Sequence, residues 1–333
     1  MTGPDPSPLE PKPADVPFDR ERVRCRLARL AEAGVHVGTS SWKYTGWLGQ
    51  VYDRDRYLWQ GRFAERRFQR ECLAEYAEVF PTVCVDAAYY TFPTRRSLET
   101  LTAQVPPRFR FAFKVTDTIT VKRFPNLDRF GPRAGQPNPD FLNADLFQEA
   151  YLGPMQVIRD RVGLLIFEFS RFYPSDFARG RDFVEALDTF LGRLPGEWPY
   201  GVEIRNRTFF QPEYFDCLRR HRVAPVLNSW EATPPLAEQV RRAHAHAWEG
   251  PLGVRLLLRP GRRYEDAVKA FSPYDQVRDP QPETRAATAD LMRSALRAGR
   301  PRPLWVYVNN RFEGNAPGTI AAILDMLSPE LGG

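Results

Sequence analysis

Histidine is scarce: the 333-residue chain holds four, His36, His221, His244 and His246. That excludes a histidine-rich metal cluster of the kind some nucleases assemble, because the four are far apart and fall on a strand start, in loops and on helical stretches. The four cysteines, Cys25, Cys72, Cys84 and Cys217, are equally scattered and contain no C-x-x-C pair. Neither a zinc ribbon nor a disulfide framework is expected, and the thiols should be reduced and mostly buried. No apolar run approaches the ~18 residues of a membrane span, and the N-terminus lacks a basic segment followed by an apolar one. A cytoplasmic protein without membrane contact is the expectation. The first apolar strand runs into VGTSSW without a G-x-G-x-x-G, so the dinucleotide fingerprint is missing. No metal and no cofactor are expected.

What is present is a folded composition, 43% hydrophobic and 26% charged, whose +6 formal charge is a modest excess supplied almost wholly by arginine. It favours an anionic partner only weakly. Six of the first seventeen residues are proline, which predicts a flexible tail over residues 1–20 and a folded domain over 21–333. In that domain, β-rich apolar runs recur at 35–42, 82–90, 109–115, 162–169, 201–205, 224–228, 253–258 and 304–310. Helical spacing separates them, as in Phe183, Leu187, Phe190, Leu191 and Leu194, or Ile320, Ile323, Leu324 and Leu327. Eight alternations of strand and helix predict a closed (β/α)₈ TIM barrel, with a doubly wound open sheet as the alternative. The Pro-, Gly- and Asn-rich stretch 122–143 is expected as a long loop after the third strand, at the barrel mouth.

Side chains on a strand alternate between faces, and in a barrel the face toward the helices must be apolar. Val83 and Val85 therefore turn Cys84 and Asp86 inward, and the phenylalanines of FRFAFK turn Lys114 inward. The same count sends Glu203 and Arg205, Arg255, and Tyr307 and Asn309 to the axis, and places Glu168 there on a strand apolar on both parities. Three acids and three bases thus gather near strand C-terminal ends, where barrel enzymes build their sites. A self-neutralising ion-pair ring would explain them equally, but buried pairs stabilise poorly compared with apolar packing.

Several chemistries fit these residue types. Glu168 and Glu203 on adjacent strands could form an acid and base pair, and Lys114 could form a Schiff base if its pKa were depressed. Mg²⁺ could sit on Asp86, Glu168 and Glu203 if Lys114 and Arg205 did not compete for the oxygens. In NNRFEGNAPG, Asn315 is placed to cap a helix with Pro317 in its first turn, which would offer an anion site beside Arg205 and Arg255. Aromatic and basic residues interleave between Trp42 and Phe68, the pattern of a nucleic-acid or sugar-binding rim or of an amphipathic segment packed on the barrel.

The segments GTSSWKYTGWLGQVY, YYTFP, FRFAFK followed by TIT, RVGLLIFEFS, GVEIRNRTFF and VYVNNRFEGNAP, in that order over about residues 35–327, resemble the signatures of the YecE-like domain-of-unknown-function family 72. The resemblance implies a TIM barrel and no specific reaction. It implies site positions at Ser40 and Trp42, Tyr90, Lys114, Glu203, Arg205, Arg255, Asn309 and Asn310. The chain departs from the family pattern at Cys84 and Asp86, where Glu and Asn are usual, at Asn206 and Arg207, where His and Pro are common, and at Val121 and Leu257, where histidines are common. It resembles a divergent branch.

The combined expectation is an enzyme that uses Asp86, Lys114, Glu168 and Glu203 without a metal. It would act on a small anionic or sugar-like substrate held by Ser40, Trp42, Tyr90, Arg205, Arg255, Asn309, Asn310 and Asn315. A nucleic-acid-binding or nucleic-acid-processing barrel and an inactive binding protein are the alternatives, and no feature specifies an oligomeric state.

Overall fold

Each of the eight apolar runs forms one strand of a closed parallel barrel in the computed structural model, which describes residues 18–298 and 302–327. The strands are β1 Val35–Thr39, β2 Thr82–Val85, β3 Arg110–Lys114, β4 Val162–Phe169, β5 Tyr200–Ile204, β6 Ala224–Ser229, β7 Leu252–Leu256 and β8 Leu304–Val308. Sequential strands are neighbours, and β1 closes the ring against β8. Closure rules out the open sheet. Residues 1–17 of the expected tail lie outside the described residues, while Asp19 and Arg20 already belong to the first helix: Asp19 accepts from the Arg22 N–H and caps it.

Two apolar layers sandwich each strand. Outward residues such as Val83, Phe111, Phe113, Leu165, Phe167 and Val202 join the core under the helices. The helix Gly180–Gly192 shows why that shell forms: Phe183, Leu187, Phe190 and Leu191 fall on one stripe and are buried. Inward, Cys84, Ala112, Leu164, Ile166, Ala224, Val226, Trp305 and Tyr307 fill the barrel as a separate plug. Gly201 and Gly253 make that plug possible, since a Cβ on either would come within 2.9 Å of the Val226 side chain. The charged residues sit above this dry floor.

The first connection, expected as a rim or as packing, is mostly core: Trp47, Tyr52, Tyr57 and Phe68 are buried and pack ring against ring. A short hairpin, Leu58–Trp59 with Arg62–Phe63, leaves Trp59 exposed. The 122–143 loop does follow β3. It is pinned by the buried Asn138, whose amide donates to the carbonyls of Thr118 and Val121 at 2.8 and 2.7 Å. Among the described residues no helix is long and apolar enough to cross a membrane.

Candidate functional site at the barrel mouth

Strand register brings the charged residues together. Glu168 on β4 pairs with Glu203 on β5, and Lys114 at the end of β3 pairs with Ile166, the inward residue next below Glu168 on β4. Arg255 on β7 lies opposite Asn228 of β6. The side chains of Glu168, Glu203, Lys114, Arg255 and Asn228 point to the axis, as period-two alternation requires.

The resulting cluster is dense. Glu168 Oε2 accepts from Arg255 Nη1 at 2.5 Å, from Arg205 Nη2 at 2.9 Å and faces Lys114 Nζ at 3.1 Å. Glu203 Oε2 accepts from the same Arg255 Nη1 at 2.5 Å, and its Oε1 takes Arg205 Nε at 3.2 Å. Asp86 stands apart, with its Oδ1 3.9 Å from both Lys114 Nζ and Arg255 Nη2. Its side chain is 36% exposed, whereas Glu168 and Glu203 are buried. Two aromatic rings complete the walls: Lys114 Nζ lies 3.8 Å from the centre of the Tyr89 ring, and the Arg205 guanidinium 3.9 Å from that of Trp230.

Electrostatics assigns protonation states. Burial pushes the Glu168 carboxyl up, but Arg205, Lys114 and Arg255 outweigh it and hold the group well below the usual carboxylate range. Burial pulls Lys114 down, but Glu168 and Asp86 outweigh it and keep it above its ordinary value. Glu168 is therefore a fixed anion and Lys114 a fixed cation at neutral pH. A general acid needs a raised carboxyl and a Schiff-base lysine needs a depressed amine, so neither residue suits those roles. The oxygens that Mg²⁺ would take from Glu168 and Glu203 are those bound to cations.

The other expected positions divide. Ser40, just beyond β1, is buried at the mouth, and its Oγ has no protein partner. Trp42 lines a cavity of about 670 Å³ beside the barrel, together with Lys43, Phe92 and Phe113. Tyr90 is displaced: the run expected as strand through residue 90 stops at Val85 and turns into the helix Ala87–Tyr90. Neighbouring side chains on a helical turn diverge, so Tyr89 covers Lys114 while Tyr90 is 60% exposed under Arg129, whose guanidinium lies 4.8 Å from the Tyr90 ring centre. Arg129 also pairs with Asp117 at 3.1 Å, so the 122–143 loop reaches the edge of the mouth, as expected.

The loop after β8 differs most from expectation. Asn309 Oδ1 accepts from the Arg311 N–H and Asn310 Oδ1 from the Ala316 N–H, so both serve as caps. Asn315 caps the helix Ala316–Asp325 through the Gly318 N–H, and Thr319 N donates to the Asn315 carbonyl. Pro317 has no N–H. Every first-turn donor that was to hold an anion is thus engaged within the loop, and Arg255 and Arg205 are held by carboxylates. The expected convergence on an anion does not form.

Sequence reasoning missed Tyr89, Trp230 and Asn228. Asn228 ends the otherwise apolar run 224–228, a signal that was available; its amide donates to the Ile204 carbonyl at 3.1 Å and its Oδ1 has no protein partner. It also missed that Cys217 and His221 meet Asp188 away from the mouth, their ligand atoms all within 4.8 Å of one another.

Comparison with known proteins agrees with the fold. A DUF72-family protein of Enterococcus faecalis V583 superposes with a TM-score of 0.57 at 16% identity, over 88% of this chain and 95% of that one. One from Thermotoga maritima MSB8 gives 0.57 at 20% identity, over 88% and 99%. No curated protein matches the chain. The family model described as protein of unknown function DUF72 matches residues 36–332, so the chain belongs to the DUF72 family.

Proposed function

We propose that the barrel mouth binds a small, uncharged, polyhydroxylated compound and that Asp86 acts on it as a general base. One observation carries this reading. Ser40 Oγ, Asp86 Oδ1, Asn228 Oδ1 and Arg255 Nε, at the ends of four different strands, are buried polar atoms with no protein hydrogen-bond partner. Leaving such atoms unmade costs roughly 1–3 kcal/mol each, so they are retained where something else bonds them. The set mixes a hydroxyl, two acceptors and a donor, which matches hydroxyl groups that both give and accept.

Charge balance favours a neutral ligand. The three cations are offset by three carboxylates, so no net positive charge remains to select an anion. Asp86 is the one acid of the cluster that reaches solvent and holds no cation closer than 3.9 Å. A proton taken by its carboxylate from a substrate hydroxyl would leave negative charge facing Lys114 and Arg255, already fixed in place.

Thermal-shift titration with neutral aldoses and polyols, their phosphorylated counterparts and short oligonucleotides tests the reading. Neutral compounds should raise the melting temperature, and Asp86→Asn should keep that shift while abolishing turnover of the compound that binds best. Shifts confined to phosphorylated compounds or oligonucleotides would overturn it. Binding without turnover by the wild type would leave a binding protein in place of an enzyme.

A further inference from the structure

At the end of the barrel opposite the mouth, two helices finish side by side. The helix Gly180–Gly192 carries Asp188 one turn from its end, and the helix Pro212–Arg220 carries Cys217, with His221 as its C-cap. Cys217 and His221 are four residues apart and so share a face. Asp188 Oδ1 lies 2.7 Å from His221 Nε2 and 3.7 Å from Cys217 Sγ. We propose that Asp188, Cys217 and His221 form a zinc site that clamps these two helices together.

The donor set suits the metal: a thiolate, an imidazole and a carboxylate are the ligands zinc selects, and three of them leave a fourth position for water. With zinc–ligand bonds of about 2.0–2.3 Å, tetrahedral ligand atoms stand a little over ~3 Å apart. The observed separations bracket that spacing, so small side-chain rotations suffice. The backbone favours a cation as well, because the negative ends of both helix dipoles converge here. A Cβ on Gly192 would lie 3.5 Å from His221 Cε1, so the end of the first helix is packed directly against the imidazole.

Without metal, Arg220 Nη1 bonds the same Asp188 oxygen, but its side chain is 61% exposed and free to swing into solvent. Arg219, next to it in the chain, is engaged by Asp216 and by the Trp248 ring. The Cys217 thiol is buried and faces Asp188 Oδ1. Coordination turns that thiol into a thiolate, its proton leaving to solvent, and uses the Nε2 lone pair of an imidazole protonated on Nδ1. Metal uptake must therefore rise with pH.

The test uses the full chain purified with chelator and titrated with Co²⁺, then Zn²⁺. The proposal expects about one cobalt per chain, a near-ultraviolet sulfur-to-cobalt charge-transfer band, its loss when zinc displaces cobalt, and a higher melting temperature with zinc. Cys217→Ser should abolish the band, and His221→Gln should weaken zinc binding at least tenfold; the latter carries the test if the former does not fold. Cys25, the exposed thiol, is the control, and Cys25→Ser should leave the band intact. No band in the wild type, or a band that survives Cys217→Ser or disappears with Cys25→Ser, overturns the site.

Discussion

Glu168 and Glu203 are register partners on adjacent strands, and one nitrogen of Arg255 bonds both carboxylates at 2.5 Å. Two acids held so close are tolerable only because Arg255, Arg205 and Lys114 neutralise them. Removing one acid leaves buried positive charge uncompensated, a loss typical of broken buried pairs. Glu203→Gln should therefore destabilise the protein by ~3 kcal/mol in urea unfolding. Asp86→Asn, which removes only contacts of 3.9 Å, should cost less than ~1 kcal/mol. Equal losses for the two would show that Asp86 is part of the structural ring and not its reactive edge.

Stability should fall with acid in two separable steps. Burial, aided by Arg110, lowers His36 from 6.5 to about 4; the folded state refuses a proton that the unfolded state accepts, so stability present above pH 6.5 declines from there toward pH 4. Glu168 is held below its ordinary value of 4.5, so its contribution is complete above 4.5 and is lost as the pH drops further. His36→Phe, which keeps a ring against Trp305, now stacked at 4.1 Å, should remove the first step alone. Glu168→Gln should diminish the second, in which Glu78 and Asp188, also held below their ordinary values, take part. Unfolding free energies measured from pH 8 to pH 3 check both.

The inner faces were legible because alternation with a period of two survives wherever one face must be apolar. Asp86, Lys114, Glu203, Arg205 and Arg255 all followed from it, and β4 matches its expected span residue for residue. Alternation ends where the strand ends. At Val85 the chain turns helical, beyond the reach of alternation; Tyr90 came from the family resemblance, whereas the ring over Lys114 is Tyr89. Asn315 was legible as a cap, but a cap uses local donors, and how many remain free depends on Asn310 and Pro317 together. The four-residue spacing of Cys217 and His221 was visible; that Asp188, about thirty residues earlier, completes the set depends on how two helices pack.

Tyr89 should matter through its face and not its hydroxyl. A desolvated cation over an aromatic ring contributes up to ~2 kcal/mol, and Lys114 Nζ at 3.8 Å is buried. Tyr89→Phe should leave stability nearly unchanged, and Tyr89→Leu should cost ~1–2 kcal/mol. Tyr90→Ala, at an exposed ring, should change stability by less than ~0.5 kcal/mol. Chemical denaturation of the three variants separates the pair.

The helix after β8 provides the last test, because an anion site and a closed cap respond oppositely. Asn315 Oδ1 already accepts from Gly318, its Nδ2 donates to the Tyr274 carbonyl at 2.8 Å and to Gln50 Oε1 at 3.1 Å, and Asn310 takes the Ala316 N–H. With these donors satisfied, phosphate and sulfate at millimolar concentration should leave the melting temperature of the wild type unchanged. Asn315→Ala should cost ~1–2 kcal/mol by loss of the cap, together with its bonds to Tyr274 and Gln50, and should not alter the response to neutral polyols. A phosphate-dependent rise in melting temperature that disappears in Asn315→Ala would mean that the cap opens to admit an anion, and that the mouth selects an anion in place of a neutral ligand.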